Sequence, residues 1–237
     1  MTVAFRIKFI KMQETLTFLS ELAANNNRDW FNANKSRYLK TKAGVETLTA
    51  RLIAGLAEIE PDASILEPSD CLYRIYRDTR FSSDKTPYKR HIGIYINPFG
   101  GKKSALAGYY LHLEPDNVFV GGGLWCPDAK LLKAVRQSIY DNVDEYLEII
   151  ENPEFKKHFP LIGEDFLKTA PKGFPKDWEH IELLRPRSFT ACGALKAKSN
   201  SAKDIEKATL RAFEVLKPYN DFLNYLFEEN PSLPRVF

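Results

Sequence analysis

The feature that most limits how this chain can fold is a β-rich stretch, residues 72–120, set between two helical regions. Residues 72–77, 92–96, 106–113 and 118–120 concentrate β-branched and aromatic side chains, the composition of half-buried strands. Pro115-Asp116-Asn117 parts the last two runs by a tight turn, which predicts an antiparallel hairpin. Asn97-Pro98-Phe99-Gly100-Gly101 reads as the loop before it.

Before this stretch the apolar spacing is helical. Leu16, Phe18, Leu19 and Leu22 form one stripe, which Asn25-Asn26-Asn27 breaks. A long helical pattern then follows Asp29 to about Glu60, carried by Tyr38, Val45, Leu48, Leu52, Ile53 and Leu56. Gly44 and Gly55 weaken it, and Pro61 ends it. After the strands, Pro127-Asp128 opens a helix whose apolar residues run from Leu131 to Ile150, with Pro153 as its stop. Residues 153–180 read as irregular, and residues 188–192 as a further strand. Ser201, with Asp204 three residues on, caps a last helix in which Pro218 marks a kink or break. The expectation is an α+β fold: one domain over residues 1–237, with a central, mostly antiparallel sheet flanked by N-terminal, middle and C-terminal helices.

Composition excludes more than it identifies. With 44% hydrophobic and 27% charged residues and a net charge of +3, the chain is neither disordered nor supercharged. No apolar run reaches the roughly 18–20 residues of a membrane span, so no membrane partner is expected. Cys71, Cys126 and Cys192 are odd in number and far apart, which argues against a disulfide framework and for a reducing cytoplasm. Residues 1–11 are too short and too charged for a secretory signal, and read as an N-terminal extension or a short edge strand.

Familiar site motifs fail on single positions. A phosphate loop over residues 96–104 would need glycine at Ile96 and a hydroxyl at Lys103. The triplet Gly121-Gly122-Gly123 stands between a strand and a helix, but Cys126 replaces the third glycine of a dinucleotide fingerprint. There is no G-x-S-x-G elbow. His91, His112, His158 and His180 form no H-E-x-x-H, and no C-x-x-C occurs, so no structural zinc site is expected. Scattered carboxylates stay open as metal ligands, and the cofactor stays unknown.

One segment departs from the background. Residues 74–91 read RIYRDTRFSSDKTPYKRH, in which six cations face only Asp78 and Asp84. This local +4 exceeds the +3 of the whole chain, so the remainder is net negative by one. Arginine offers a planar fork of donors that matches phosphate and carboxylate oxygens. Arg74, Arg77 and Arg80 can therefore hold an anion with Lys85, and Tyr88 adds a polar contact. Asp78 can accept local amides, orient an arginine or act as a base, and Asp84 suits a second turn. The alternative is an ion-pair brace, in which Arg77, Asp78 and Arg80 steady a loop and bind nothing.

The run R-x-x-R-D-x-R-F-x-x-D-K-x-x-Y, from Arg74 to Tyr88, resembles the motif of a bacterial family catalogued as domain of unknown function 2461. Asn27-Arg28-Asp29-Trp30-Phe31, Gly108-Tyr109-Tyr110-Leu111-His112, Gly121-Gly122-Gly123-Leu124-Trp125 and Lys172-Gly173-Phe174-Pro175 are similar to it as well. The resemblance spans about residues 12–229, favours Met12 as the family-like start and adds weight to the basic segment. It implies no activity.

Other candidates are weighed singly. His112 and Glu114 share a strand face with Tyr110 and can supply an acid, a base or metal ligands; the alternative is a solvent face with Leu111 and Leu113 on the core side. Gly121, Gly122 and Gly123 ahead of a helix can cradle an anion with backbone amides, or serve a turn that needs positive φ or close packing. Trp125 walls a pocket or merely packs, and Arg185 and Arg187 bring further cations or form an exposed loop. Cys126 is either reactive or a packing residue.

The leading expectation is a protein that binds a small phosphorylated or otherwise anionic ligand through Arg74, Arg77, Arg80, Lys85 and Tyr88, aided by the glycine triplet. Any hydrolysis or group transfer there would use Asp78 or His112. A second is nucleic-acid binding, with Tyr73, Tyr76, Phe81 and Tyr88 as stacking surfaces, which the low net charge disfavours. The third is a non-catalytic scaffold braced by the same arginines.

Overall fold

The computed structural model describes residues 12–197, 199, 201–230 and 233. The extension or edge strand expected for residues 1–11 lies outside them. Helix α1, Met12–Ala24, buries Met12, Thr15, Leu16, Leu19 and Leu22, one face of a 3.6-residue repeat. It stops at the asparagine run, where Asn27 caps α2, Arg28–Ala33, by accepting from the Trp30 amide at 2.9 Å. The helix expected to run on to Glu60 is broken at Asn34. Its longer part, α3, covers Lys35–Leu56 and buries Val45, Leu48, Leu52, Ile53 and Leu56. A short α4, Pro68–Cys71, leads into the basic segment.

Five strands form one antiparallel sheet in the order β1-β2-β3-β5-β4. They are β1, Ile92–Ile96; β2, Gly108–Leu113; β3, Phe119–Leu124; β4, Leu161–Glu164; and β5, Ser188–Ala194. The hairpin at Pro115-Asp116-Asn117 is present, with Asp116 at φ +62° and the Asn117 amide bonded to the Glu114 carbonyl. Residues 72–77 are not the strand that was expected. Only isolated bridges form there, Leu72 with Ile94 and Tyr76 with Tyr88.

The glycine triplet is also not the expected turn. Gly121, Gly122 and Gly123 lie within the central strand, paired to Tyr110, Tyr109 and Gly108 on one side and to Cys192, Ala191 and Thr190 on the other. β4 was not anticipated at all. It is a four-residue edge strand with little buried surface, so its sequence carries almost no alternation.

The middle helical run divides at Asn142 into α5, Ala129–Asp141, and α6, Val143–Glu151. Asp128 caps α5 as the sequence suggested, accepting from the Leu131 amide at 2.8 Å. Pro153 does not simply stop a helix. It starts α7, Pro153–His158, at the first position, where its missing N–H has no partner to lose. The last helix, α8, Ala202–Glu229, begins on the Ser201 cap and continues through Pro218. It lies on the sheet, with Phe213 5.1 Å from Tyr109. Buried side chains from Met12 to Leu233 form one continuous cluster around this contact. The architecture is α+β, an antiparallel sheet with N-terminal, middle and C-terminal helices flanking it. No helix among the described residues is long and apolar enough to cross a membrane.

Candidate functional site

The basic segment folds as a closed loop. Its two ends pair, with the Arg77 amide on the Pro87 carbonyl at 3.0 Å and the Lys89 amide on the Ile75 carbonyl at 2.8 Å. Asn26 fastens the returning end to the helices, because its side chain accepts from the Tyr88 amide at 3.1 Å and donates to the Tyr88 carbonyl at 2.9 Å. Tyr88 is buried and stacks on Phe31 of α2, with centroids 4.0 Å apart and planes 15° from parallel.

Arg77 closes the loop from within. Its terminal nitrogens donate to the Asp84 carboxylate, to the Thr86 hydroxyl and carbonyl, and to the Ser82 hydroxyl. Asp84 in turn accepts the Thr86 amide at 2.9 Å, the expected second turn. That amide, with Arg77 adding to it, holds the Asp84 carboxyl down at about 2. Lys85 donates to the Thr79 carbonyl at 2.9 Å.

Arg77 and Arg80 engage different carboxylates. Arg80, 76% exposed at its side chain, turns back on Asp78, with contacts of 2.7–3.2 Å. Asp78 also accepts the Arg80 amide at 3.1 Å. Arg80's hydrogen bonds lower the Asp78 carboxyl to about 2, and the charge of Arg74 contributes. A carboxylate held this way is a poor proton acceptor near neutrality. Phe81 at the tip is almost wholly exposed, with the Arg80 guanidinium 5.7 Å from its ring centre.

Between this loop and α2 lies a cleft of about 980 Å³. Arg77, Lys85 and Tyr88 line it from one side, and Tyr76 and Asp84 lie beside them. Asn26, Asn27, Arg28 and Asn32 line it from the other side. Arg74, Asp78, Arg80 and the glycine triplet are not part of its wall. Arg28 has no ion-pair partner among the described residues. The sequence reading missed Arg28 and Asn32 as site residues. Asn25-Asn26-Asn27 reads as helix punctuation and Asn27 to Phe31 as part of a family resemblance, Asn32 belongs to neither, and nothing local says that this stretch meets residues 76–88.

The sheet holds a second polar group. His112 is buried, and it joins Tyr110 and Glu114 in a chain: Tyr110 Oη lies 2.9 Å from Nδ1, and Glu114 Oε2 lies 3.3 Å from Nε2. Phe119 stacks on its ring at 4.5 Å, and His91 lies at 4.4 Å. Burial lowers the pKa of His112, against an upward pull from Glu114. Burial lowers His91 further, to about 4. The trio expected on one strand face is therefore assembled, with Leu111 and Leu113 on the core side. None of it lines the cleft.

The glycine amides do not form a cradle, since the strand is paired along both edges. Arg187 and Trp125 line a separate cleft of about 610 Å³ with Cys126 and Arg136. Arg185 instead bonds Glu182 and the Leu167 carbonyl. Lys196 donates to the Lys157 carbonyl. Among the described residues no group of three or more His, Cys, Asp or Glu is arranged to hold a metal ion.

A family model described as Conserved hypothetical protein (DUF2461) matches residues 14–222. The chain belongs to that family. The match encloses the loop, the cleft and the whole sheet, so the site described above is built entirely from residues of the DUF2461 region. No curated protein and no solved structure matches the chain.

Proposed function

We propose that the cleft between α2 and the Arg77 loop binds a small anionic ligand, with phosphate esters as the leading class. One observation carries the reading. Arg28, Arg77 and Lys85 converge there from two parts of the chain, against a single lining carboxylate, Asp84, that Arg77 already neutralises. Such an excess of positive charge on a concave surface draws an anion and is relieved by one. Arg28 and Lys85 are the residues proposed to hold it, and Arg77 contributes charge while its donors keep the loop closed.

Binding is the better supported half of the expectation. Asp78 is engaged by Arg80, and His112 is on the sheet, so neither candidate acid or base lines the cleft. For nucleic-acid binding, Phe31 covers the Tyr88 ring, while Tyr73, Tyr76 and Phe81 are exposed. The scaffold reading gains one specific support, the engagement of both Arg77 terminal nitrogens inside its own loop.

Thermal unfolding against phosphate, sulfate and sugar phosphates, with and without Mg²⁺, tests the proposal. A ligand at about 100 times its Kd adds roughly 2.7 kcal/mol, or about 5–11 °C for a protein of this size. Arg28→Ala and Lys85→Ala should each reduce the shift while leaving the unliganded Tm nearly unchanged. A flat response to every anion would leave the scaffold reading in its place.

A further inference from the structure

The cleft carries more than charge. Tyr76, 48% exposed as a residue, lines it, while its ring is edge-on or tilted against Phe31 at 6.0 Å and Tyr88 at 5.5 Å. Those two rings are buried, so they fix the tyrosine from behind and leave part of it facing the opening. Asn32, exposed on α2, lines the cleft with an amide that has no hydrogen bond among the described residues. Asn27 uses its oxygen on the Trp30 amide, which leaves its NH₂ without an acceptor there. The opening therefore combines a flat apolar surface, amide donors and an acceptor, and the cations Arg28 and Lys85.

We infer that the ligand is a nucleoside phosphate, its base against Tyr76, its base edge read by the Asn27 and Asn32 amides, and its phosphate on Arg28 and Lys85. This rests on the anion-binding reading of the same cleft. An inorganic anion would use the cations alone, and a sugar phosphate, whose hydroxyls can bond the amides, would still leave the ring without a flat partner. Base stacking on an aromatic side chain is favourable for every base, and an amide offers a donor and an acceptor to a base edge. The volume is at the upper end of the roughly 300–1,000 Å³ typical of small-ligand pockets, ample for a mononucleotide. A polynucleotide is the poorer fit, because it needs a track of phosphate contacts beyond one cleft. The charge of this chain is local, a +4 segment on a protein of net +3.

Calorimetric titration of the full chain separates the alternatives. The probes are the four ribonucleoside 5′-monophosphates, ribose 5-phosphate, inorganic phosphate and a ten-residue single-stranded oligonucleotide. At least one monophosphate should bind about tenfold or more tightly than ribose 5-phosphate. Tyr76→Leu should erase that difference and leave the ribose 5-phosphate affinity as it was. Asn32→Ala, on an exposed residue, should alter the ranking among the four bases without affecting inorganic phosphate. Equal affinity for every monophosphate and ribose 5-phosphate would overturn the nucleotide inference and keep the anion site. Failure of all probes would overturn both. Much tighter oligonucleotide binding with a steep salt dependence would replace the mononucleotide with a polynucleotide.

Discussion

Arg77 contributes to the fold and to the candidate site at once, and the magnitudes separate the two roles. Its side chain is only partly buried and its carboxylate partner Asp84 is mostly exposed, so the pair itself is worth little. The bonds to Thr86 and Ser82 add the larger share, since hydrogen bonds to a charged donor contribute about 1.5–3 kcal/mol when sheltered and less in the open. Arg77→Ala should therefore lower unfolding free energy by about 1–2 kcal/mol, well short of the roughly 3–5 kcal/mol of a fully buried pair. Urea denaturation reads this directly, and a loss beyond 3 kcal/mol would mean that the loop is a buried keystone. Acid should act in the same direction. Asp84 has its folded pKa depressed from 3.8 to about 2, so its contribution is complete above pH 4 and disappears as pH falls from about 4 to 2. A carboxyl NMR titration should find Asp84 and Asp78 still ionised near pH 3 in the native protein.

At the scale of elements, β3 shows why a triplet of glycines misleads. The sequence pattern is that of a turn ahead of a helix, but the reason for the glycines is close approach across a packed sheet. A Cβ on Gly122 would stand 2.2 Å from the Gly108 carbonyl oxygen and 2.5 Å from a Leu216 methyl of α8. Gly123 adds a second reason, a φ of +95°. Gly122→Ala should thus cost about 1–3 kcal/mol or more, as overpacking of a closed core does. The Tm should drop accordingly, and an unchanged Tm would show that α8 can lift from the sheet at no cost. Other elements were easier to read. Asp128 and Ser201 cap the helices that they precede, because a cap is a local bond between residues three apart. The break at Asn142 and the edge strand β4 were not legible, since neither interrupts the apolar periodicity nor supplies one of its own.

At the scale of the whole molecule, half of the candidate site was legible. The basic loop announces itself as a run of arginines, so Arg77, Lys85 and Tyr88 were found. Arg28, Asn27 and Asn32 come from some fifty residues earlier, and the Asn26 bonds to Tyr88 with the packing of Phe31 on Tyr88 and Tyr76 bring them across. The histidines of the sheet are a second tertiary product, with a consequence for the stability of the entire fold. His91 and His112 sit 4.4 Å apart, and burial depresses both. The charges around them are Lys89 and Arg90 beside His91, which oppose protonation, and Glu114, which favours it. Tyr110 bonds His112 as a neutral phenol, its own pKa raised by burial. An unfolded histidine takes up a proton near pH 6.5, whereas folded His91 does so near 4. Between those values the unfolded chain binds more protons, so stability is complete above about pH 6.5 and declines as pH falls toward 4. The decline should reach about 1–2 kcal/mol by pH 4.5, the full shift being reduced by solvent screening of the partly exposed His91 ring, and urea denaturation at several pH values measures it. His91→Gln should remove more than half of that slope, because a neutral amide has no proton to exclude. A pH profile as steep in the variant as in the wild type would assign the acid sensitivity to His112 instead, since Asp78 and Asp84 act only below about pH 4.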